Sequence, residues 1–206
     1  MVLWWCLTVA ARGGDASVSA VAPVVPDPAE YTRLSQELEA LTSKNAWAGV
    51  ERTFQELLAT GVEPSHLDWY RGAQSARMVG DIGGARARLE RAKGQGKGDE
   101  RSIIDLMWAI DTRYGRVFLA CDPGSYITLR SEAMPFDPDL RRSIEFAQAR
   151  IREECFFDGM LPAGRYTFFE HTVDVVPKVM DARVDLRGIE IDRKKRKALR
   201  KDWAQP

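Results

Sequence analysis

Two histidines and three cysteines are the scarce reactive side chains of this 206-residue chain, and their spacing limits the chemistry open to it. His66 follows Pro64 at the start of a helical segment, and His171 stands beside Glu170 in a strand-like one. Neither has a second histidine or a cysteine at ligand spacing, so no metal site is expected. Ser125 lies in a turn without the Gly-x-Ser-x-Gly surroundings that present a nucleophilic hydroxyl. Cys155 has no basic neighbour in sequence to hold a thiolate, and pairing it with His171 would take a tertiary encounter. The glycine-rich stretch 94–98 follows a helix and lacks a Ser or Thr after Lys97, which makes it a connector and not a phosphate loop. Asp137 and Asp139 flank Pro138 and are helix-start chemistry, not paired acids. No catalytic residue and no cofactor are expected, and a non-enzyme is the first expectation. An unrecognised hydrolase with a pocket near His171 is the catalytic alternative.

The elements that would carry these residues begin after an unusual N-terminus. Residues 2–11 form a ten-residue apolar run, the length of a signal-peptide core, and Val18-Ser19-Ala20 has a cleavable small-x-Ala shape. No Lys or Arg precedes the run, and Arg12 and Asp15 interrupt the approach to that site; a loosely packed N-terminus is the alternative. The expected organisation is a signal peptide over residues 1–22 and a proline-rich tether over 23–28, so export to the periplasm or cell envelope is expected, with a cytoplasmic location as the alternative. Removing the leader would leave Cys121 and Cys155, either as one disulfide or as two buried thiols. No apolar stretch reaches the about 18–20 residues that cross a bilayer, so no transmembrane span is expected in the mature chain.

From residue 29 to 114 the apolar side chains recur at helical spacing. Tyr31, Leu34, Leu38 and Leu41 predict one helix, and Trp47, Val50, Phe54, Leu57 and Leu58 a second that ends at Gly61 with Pro64 beyond. Trp69, Ala73 and Ala76 predict a third, ending at Gly80-Asp81, and Ile82, Ala85, Leu89 and Ala92 a fourth. A shift of 35 residues superposes the pairs: Leu34 on Trp69, Leu38 on Ala73, Val50 on Ala85, Phe54 on Leu89. A fifth helix, from about residue 100 to 114, continues the register with Trp108 on Ala73 but has no partner helix. The second unit, with Trp69, small Gly72-Ala73, Ala76, the Gly80-Asp81 turn, Ala85, Leu89 and Ala92, resembles a tetratricopeptide repeat; the first departs from it at Leu38 and Val50. That resemblance implies a binding groove lined by Ser35, Glu39, Tyr70, Gln74, Arg77 and Asp105.

After Gly115 the period changes. Residues 117–121, 126–130, 165–169, 172–176 and 182–186 predict strands, with one helix over 138–154 carrying Leu140, Ile144, Ala147 and Ile151 on one stripe. Asp158 to Gly164 is expected as a loop. Its Asp158-Gly159, its Leu161-Pro162-Ala163-Gly164 corner and the following Tyr166-Thr167-Phe168 resemble the loop and strand of transthyretin-like or carboxypeptidase-regulatory-like β-sandwiches. The expected fold class is therefore α+β: a short antiparallel helical-hairpin array (29–114) packed on a small antiparallel sheet or sandwich with one inserted helix (115–191).

The chain closes on a basic tail over 192–206. Arg193, Lys194, Lys195, Arg196, Lys197, Arg200 and Lys201 are seven of its 30 basic residues, and 30 acidic residues balance them to a net charge of zero. Residues 1–191 hold 23 basic against 28 acidic residues, or −5, and the tail 7 against 2, or +5. Neutrality excludes a whole-surface grip on nucleic acid, and nucleic acid is not an expected partner. The tail is either a solvated end or a contact for an anionic surface. The functional expectation is an exported interaction or scaffold module with a protein partner; the alternative is an envelope component held to an anionic surface by the tail.

Overall fold

The computed structural model describes residues 26–96, 100–178 and 181–204. The expected signal peptide, Cys6 and residues 23–25 of the tether lie outside them.

Five helices come first: α1 (Pro28–Ser43), α2 (Trp47–Ala59), α3 (His66–Val79), α4 (Ile82–Gly94) and α5 (Glu100–Arg113). Their starts are chemically marked. Asp27 accepts hydrogen bonds from the Ala29 and Glu30 N–H groups, so the last proline of the tether, Pro28, is already the first helical residue. Ser65 caps α3 through the Asp68 N–H and Asp81 caps α4 through the Gly84 N–H. The end of α3 needs glycine for two reasons. Gly80 has φ 98°, and a Cβ there would lie 2.5 Å from the Arg142 carbonyl oxygen. Most of the predicted apolar stripes are buried: Leu34 and Leu38, Val50, Phe54 and Leu57, Trp69, Ala73 and Ala76, Ile82, Ala85 and Leu89; Tyr31, Leu41 and Trp47 are partly buried against the same core, and Leu58 is exposed. Phe54 meets Trp69 edge-on with ring centroids 5.5 Å apart, filling the space the small residues of α3 leave.

The second half is built from β1 (Tyr114–Ala120), β2 (Leu129–Ser131), α6 (Pro138–Glu154), β3 (Phe156–Pro162), β4 (Gly164–Phe168), β5 (His171–Val175), β6 (Ala182–Asp185) and α7 (Arg193–Trp203). The strands form two three-stranded sheets, β3-β1-β6 and β2-β4-β5. Every pairing is antiparallel except β1 with β6, which is parallel. Ile144, Ala147 and Ile151 of α6 pack into one core with Val117, Leu119, Leu129, Leu161, Tyr166 and Phe168. The fold is α+β, with the helix at 138–154 in the expected place.

Two predicted boundaries fail. Residues 158–162 are not a loop: they belong to β3, paired along its whole length with β1. Phe157, Gly159 and Leu161 alternate inward along it, and glycine is there for space: a Cβ on Gly159 would lie 2.6 Å from the Phe157 ring, and α4 crosses so close that a Cβ on Gly83 would sit 3.3 Å from the Gly159 Cα. The corner is real but shorter, at Ala163, and the buried Tyr166 hydroxyl locks it by donating to the Pro162 carbonyl at 2.8 Å. The second predicted strand, 126–130, shrinks to β2, since Tyr126 turns through a left-handed conformation (φ 60°) that ends strand pairing.

A disulfide joins Cys121 and Cys155, whose Cα atoms are 5.1 Å apart and which lie 34 residues apart in sequence. The Cys121 N–H also donates to the Cys155 carbonyl at 2.8 Å, so the bridge ties the end of β1 to the end of α6. In the chain-entropy account a loop of this length stabilises by about 4 kcal/mol. Among the described residues no helix is long and apolar enough to cross a membrane.

Candidate interaction surfaces

The first helices of the hairpins, α1 and α3, are knitted together by one buried carboxylate. Asp68 is fully enclosed and accepts from the Tyr31 hydroxyl at 2.8 Å, the Ser35 hydroxyl at 2.9 Å, the Ser65 hydroxyl at 2.6 Å and the Arg71 guanidinium at 3.4 Å. Arg71 also reaches Glu39 at 3.3 Å. Of the six residues expected to line the groove, Ser35 is therefore bound into the array, while Glu39 keeps 68% of its side chain exposed and touches the array through this one ion pair. The carrying signal, Asp68, was invisible in the sequence because Tyr31 and Ser35 lie 37 and 33 residues upstream of it.

The rest of that face has open valence. Tyr70, Gln74 and Arg77 follow one another at i, i+4 and i+7 on α3, half-buried. The Arg77 Nε is buried without a hydrogen-bond partner among the described residues. On α5 the burial register runs 34 residues behind α3, not 35: Ile103 repeats Trp69, Met107 repeats Ala73 and Ile110 repeats Ala76. Trp108 therefore does not take the buried place of Ala73; it is 64% exposed, and Ile104 is 45% exposed. The α5 positions that repeat Tyr70, Gln74 and Arg77 are Ile104, Trp108 and Asp111. Asp105 is exposed and repeats Arg71, one step round the helix from the place expected of it. The sequence signal for this slip was there, in Ile103 and Ile110 seven apart.

Where the two halves meet, clefts open on either side of the crossing of α4 over β3. One, of about 500 Å³, is lined by Glu51, Arg88, Phe146, Arg150, Phe157 and Asp158. The other, of about 410 Å³, is lined by Arg86, Glu90, Arg116, Asp158, Gly159 and Met160. Their cations are already matched. Arg88 clamps Glu51 through two hydrogen bonds of 2.6 Å while lying 4.6 Å from the Phe54 ring centroid, and Ser75 donates to the same carboxylate at 2.7 Å. Burial pushes the Glu51 carboxyl up, but the hydrogen bonds and charge of Arg88, with Gln55 and Ser75, outweigh it and hold the group below its ordinary 4.5. Arg86 pairs with Asp111 at 2.6 Å and with Glu90, and Arg116 with Asp158 at 3.3 Å. These clefts are a seam with its charges satisfied.

The residues that might have carried catalysis are apart. His66 is buried and makes a 3.1 Å contact from its Nδ1 to the Ala92 carbonyl. His171 is exposed on β5, opposite Phe168 in the ladder, and Ser125 is buried with its hydroxyl 3.3 Å from the disulfide sulfur of Cys155. No cluster of three or more His, Cys, Asp or Glu able to hold a metal occurs among the described residues. No family model, curated protein or solved structure matches this chain.

The tail is helical, as α7, and it is docked. Lys195, Leu199, Asp202 and Trp203 share one stripe at i, i+4, i+7 and i+8. Lys195 pairs with Glu170 at 2.6 Å, Asp202 with Arg130 at 2.8 Å, and Leu199 packs on the sheet core. Trp203 meets Tyr126 edge-on, ring centroids 5.6 Å apart. Two of the expected contact residues are thus turned inward to some degree: Lys195 onto Glu170, and Arg200 over the Tyr126 ring at 5.9 Å. Arg193, Lys194, Arg196, Lys197 and Lys201 are exposed and have no acidic partner among the described residues.

Proposed function

We propose that the protein is a non-catalytic interaction module of the cell envelope, in which a tetratricopeptide-like array grips a segment of a protein partner along α3 and α5. One observation carries this reading: the buried, unpartnered Nε of Arg77, beside Tyr70 and Gln74, whose side chains likewise make no hydrogen bond among the described residues. A buried N–H left without an acceptor costs about 1–3 kcal/mol, a cost removed when the half-buried Arg77 side chain turns outward to meet a ligand carbonyl or carboxylate. Ile104 and Trp108, at the repeating positions on α5, supply the apolar contact that such a segment would bury. The occupant that fits is an extended or helical peptide with an acidic or carbonyl-presenting group flanked by an apolar side chain. Ser35 is left to the Asp68 network and serves as scaffold, and the exposed Glu39 stays on the groove's rim.

Export supports the same reading. The Cys121–Cys155 disulfide is of the kind that persists in oxidising compartments, and the apolar run at residues 2–11 supplies an address. The experiment is capture of partners by the full-length protein from its native source, compared with a Tyr70→Ala/Arg77→Ala variant and with Trp108→Ala. The expected result is loss of the same partner in both. A partner retained by both variants at wild-type yield overturns the groove.

A further inference from the structure

The docking of α7 separates its side chains into two sets with different uses. The inward stripe of Lys195, Leu199, Asp202 and Trp203 is held by two ion pairs, the sheet core and an aromatic contact. Its seat is built at a cost. Tyr126 and Phe169, the residues whose rings lie against Trp203 and Lys195, both have positive φ, 60° and 59°, a conformation that costs a non-glycine residue about 1–2 kcal/mol.

The outward face is then a fixed array of charge. Arg193, Lys194, Arg196, Lys197 and Lys201 project from an 11-residue helix about 16 Å long, with no apolar side chain among them. The remainder of the chain, residues 1–191, carries −5 and the tail +5, so α7 is the part of the chain where basic residues outnumber acidic ones most strongly.

We propose that α7 is an electrostatic docking face for anionic phospholipid headgroups. Its composition selects among anionic surfaces. Single-stranded nucleic acid is gripped by aromatic rings that stack on bases, and here Trp203, the aromatic residue of α7, is turned onto Tyr126. An oxidising compartment, to which the disulfide is suited, offers lipid surface more than nucleic acid. With its apolar stripe buried in the protein, α7 lies on the headgroups and does not insert, so attraction is purely coulombic and falls steeply with salt. This surface is separate from the Arg77 face, and either can fail without the other.

The test uses the full-length protein and sedimentation with vesicles of phosphatidylcholine containing roughly one quarter phosphatidylglycerol, at about 50 mM and about 300 mM salt. The expected result is binding at the lower salt, release at the higher, and no binding to phosphatidylcholine alone. Lys194→Gln, Lys197→Gln and Lys201→Gln, one stripe at i, i+3 and i+7, are expected together to weaken binding about a hundredfold, at about fivefold for each cation near the surface. Tyr70→Ala/Arg77→Ala is expected to bind vesicles as the wild type does. Equal binding to neutral vesicles, or full retention by the triple variant, overturns the proposal. So does tighter retention on duplex DNA or polyglutamate than on the anionic vesicles at the same salt, an outcome that would put nucleic acid or an acidic protein in place of the lipid.

Discussion

The interior of the helical array and the outward face of α7 use the same residue types to opposite ends. In the array, the enclosed Asp68 and the largely buried Glu51 meet their donors at 2.6–3.4 Å, from Tyr31, Ser35, Ser65 and Arg71 in one case and Arg88 and Ser75 in the other. On α7 five cations face solvent with no acidic partner among the described residues. A charge taken out of water and paired becomes structure, because losing its partner strands it; a charge left in water costs the fold nothing and stays free for a partner. Position relative to the core, not residue type, separates scaffold from contact surface in this chain.

The largest expected effect is at Asp68. Asp68→Ala strands the Tyr31, Ser35 and Ser65 hydroxyls and leaves Arg71 without its enclosed partner, at a cost of about 3–5 kcal/mol read by denaturant unfolding. A loss below about 1 kcal/mol would mean that water takes over the network, and the contrast with α7 would collapse.

Glu51 and Arg88 give a smaller effect with a pH signature. Arg88 is 11% exposed and Glu51 22%, so Arg88→Ala is expected to cost about 3 kcal/mol. The folded carboxyl of Glu51 lies below its ordinary 4.5, so its contribution is present above that value and is lost as pH falls through the lower folded value. Wild type and Glu51→Gln should therefore differ most at neutral pH and converge in acid. A gap that widens in acid would contradict the pairing.

The same contrast marks how far the sequence could be read. The helices of the array were legible because Leu34, Leu38, Val50, Phe54, Leu57 and Leu89 are buried by a local rule, helical spacing, and nothing distant overrides it. β3 was not, because Asp158-Gly159 has turn chemistry while its glycine makes room for the Phe157 ring and for the close crossing of α4 at Gly83, 76 positions away on another element. The fifth helix slips by one residue against the 35-residue repeat, because Ile103 and Ile110 take its buried face and Trp108 faces out, uncovered by any helix among the described residues. The groove was half legible. Tyr70, Gln74 and Arg77 follow from α3 alone, but the capture of Ser35 and Glu39 by Asp68 and Arg71 depends on how two helices pack. The basic tail was legible as a composition, and its division into a docked stripe and a free face was not, since Tyr126 and Glu170 are contributed by separate turns of the sheet module.

The seat of α7 tests where the boundary between the two kinds of charge falls. Trp203→Ala removes the aromatic contact with Tyr126 and is expected to cost about 1–2 kcal/mol locally. Faster amide exchange should appear over residues 193–203 and not over α1 to α5. Faster exchange throughout the array would mean that α7 is part of the global fold and not a docked appendage.

The smallest effect is the most discriminating. Replacing Lys194, Lys197 and Lys201 by Gln removes three exposed cations that have no acidic partner among the described residues. Gln and Lys have similar helix propensity, so α7 should persist. The three lie three and four residues apart on one stripe, where like charges repel by a few tenths of a kcal/mol per pair, so the variant should equal the wild type in stability or slightly exceed it. Added salt should stabilise the wild type a little and the variant less, since there is less repulsion left to screen. Denaturant midpoints at low and high salt read both. A loss above about 1 kcal/mol would show that these cations are paired within the protein after all, and the outward face of α7 would then belong to the scaffold with Asp68 and Glu51.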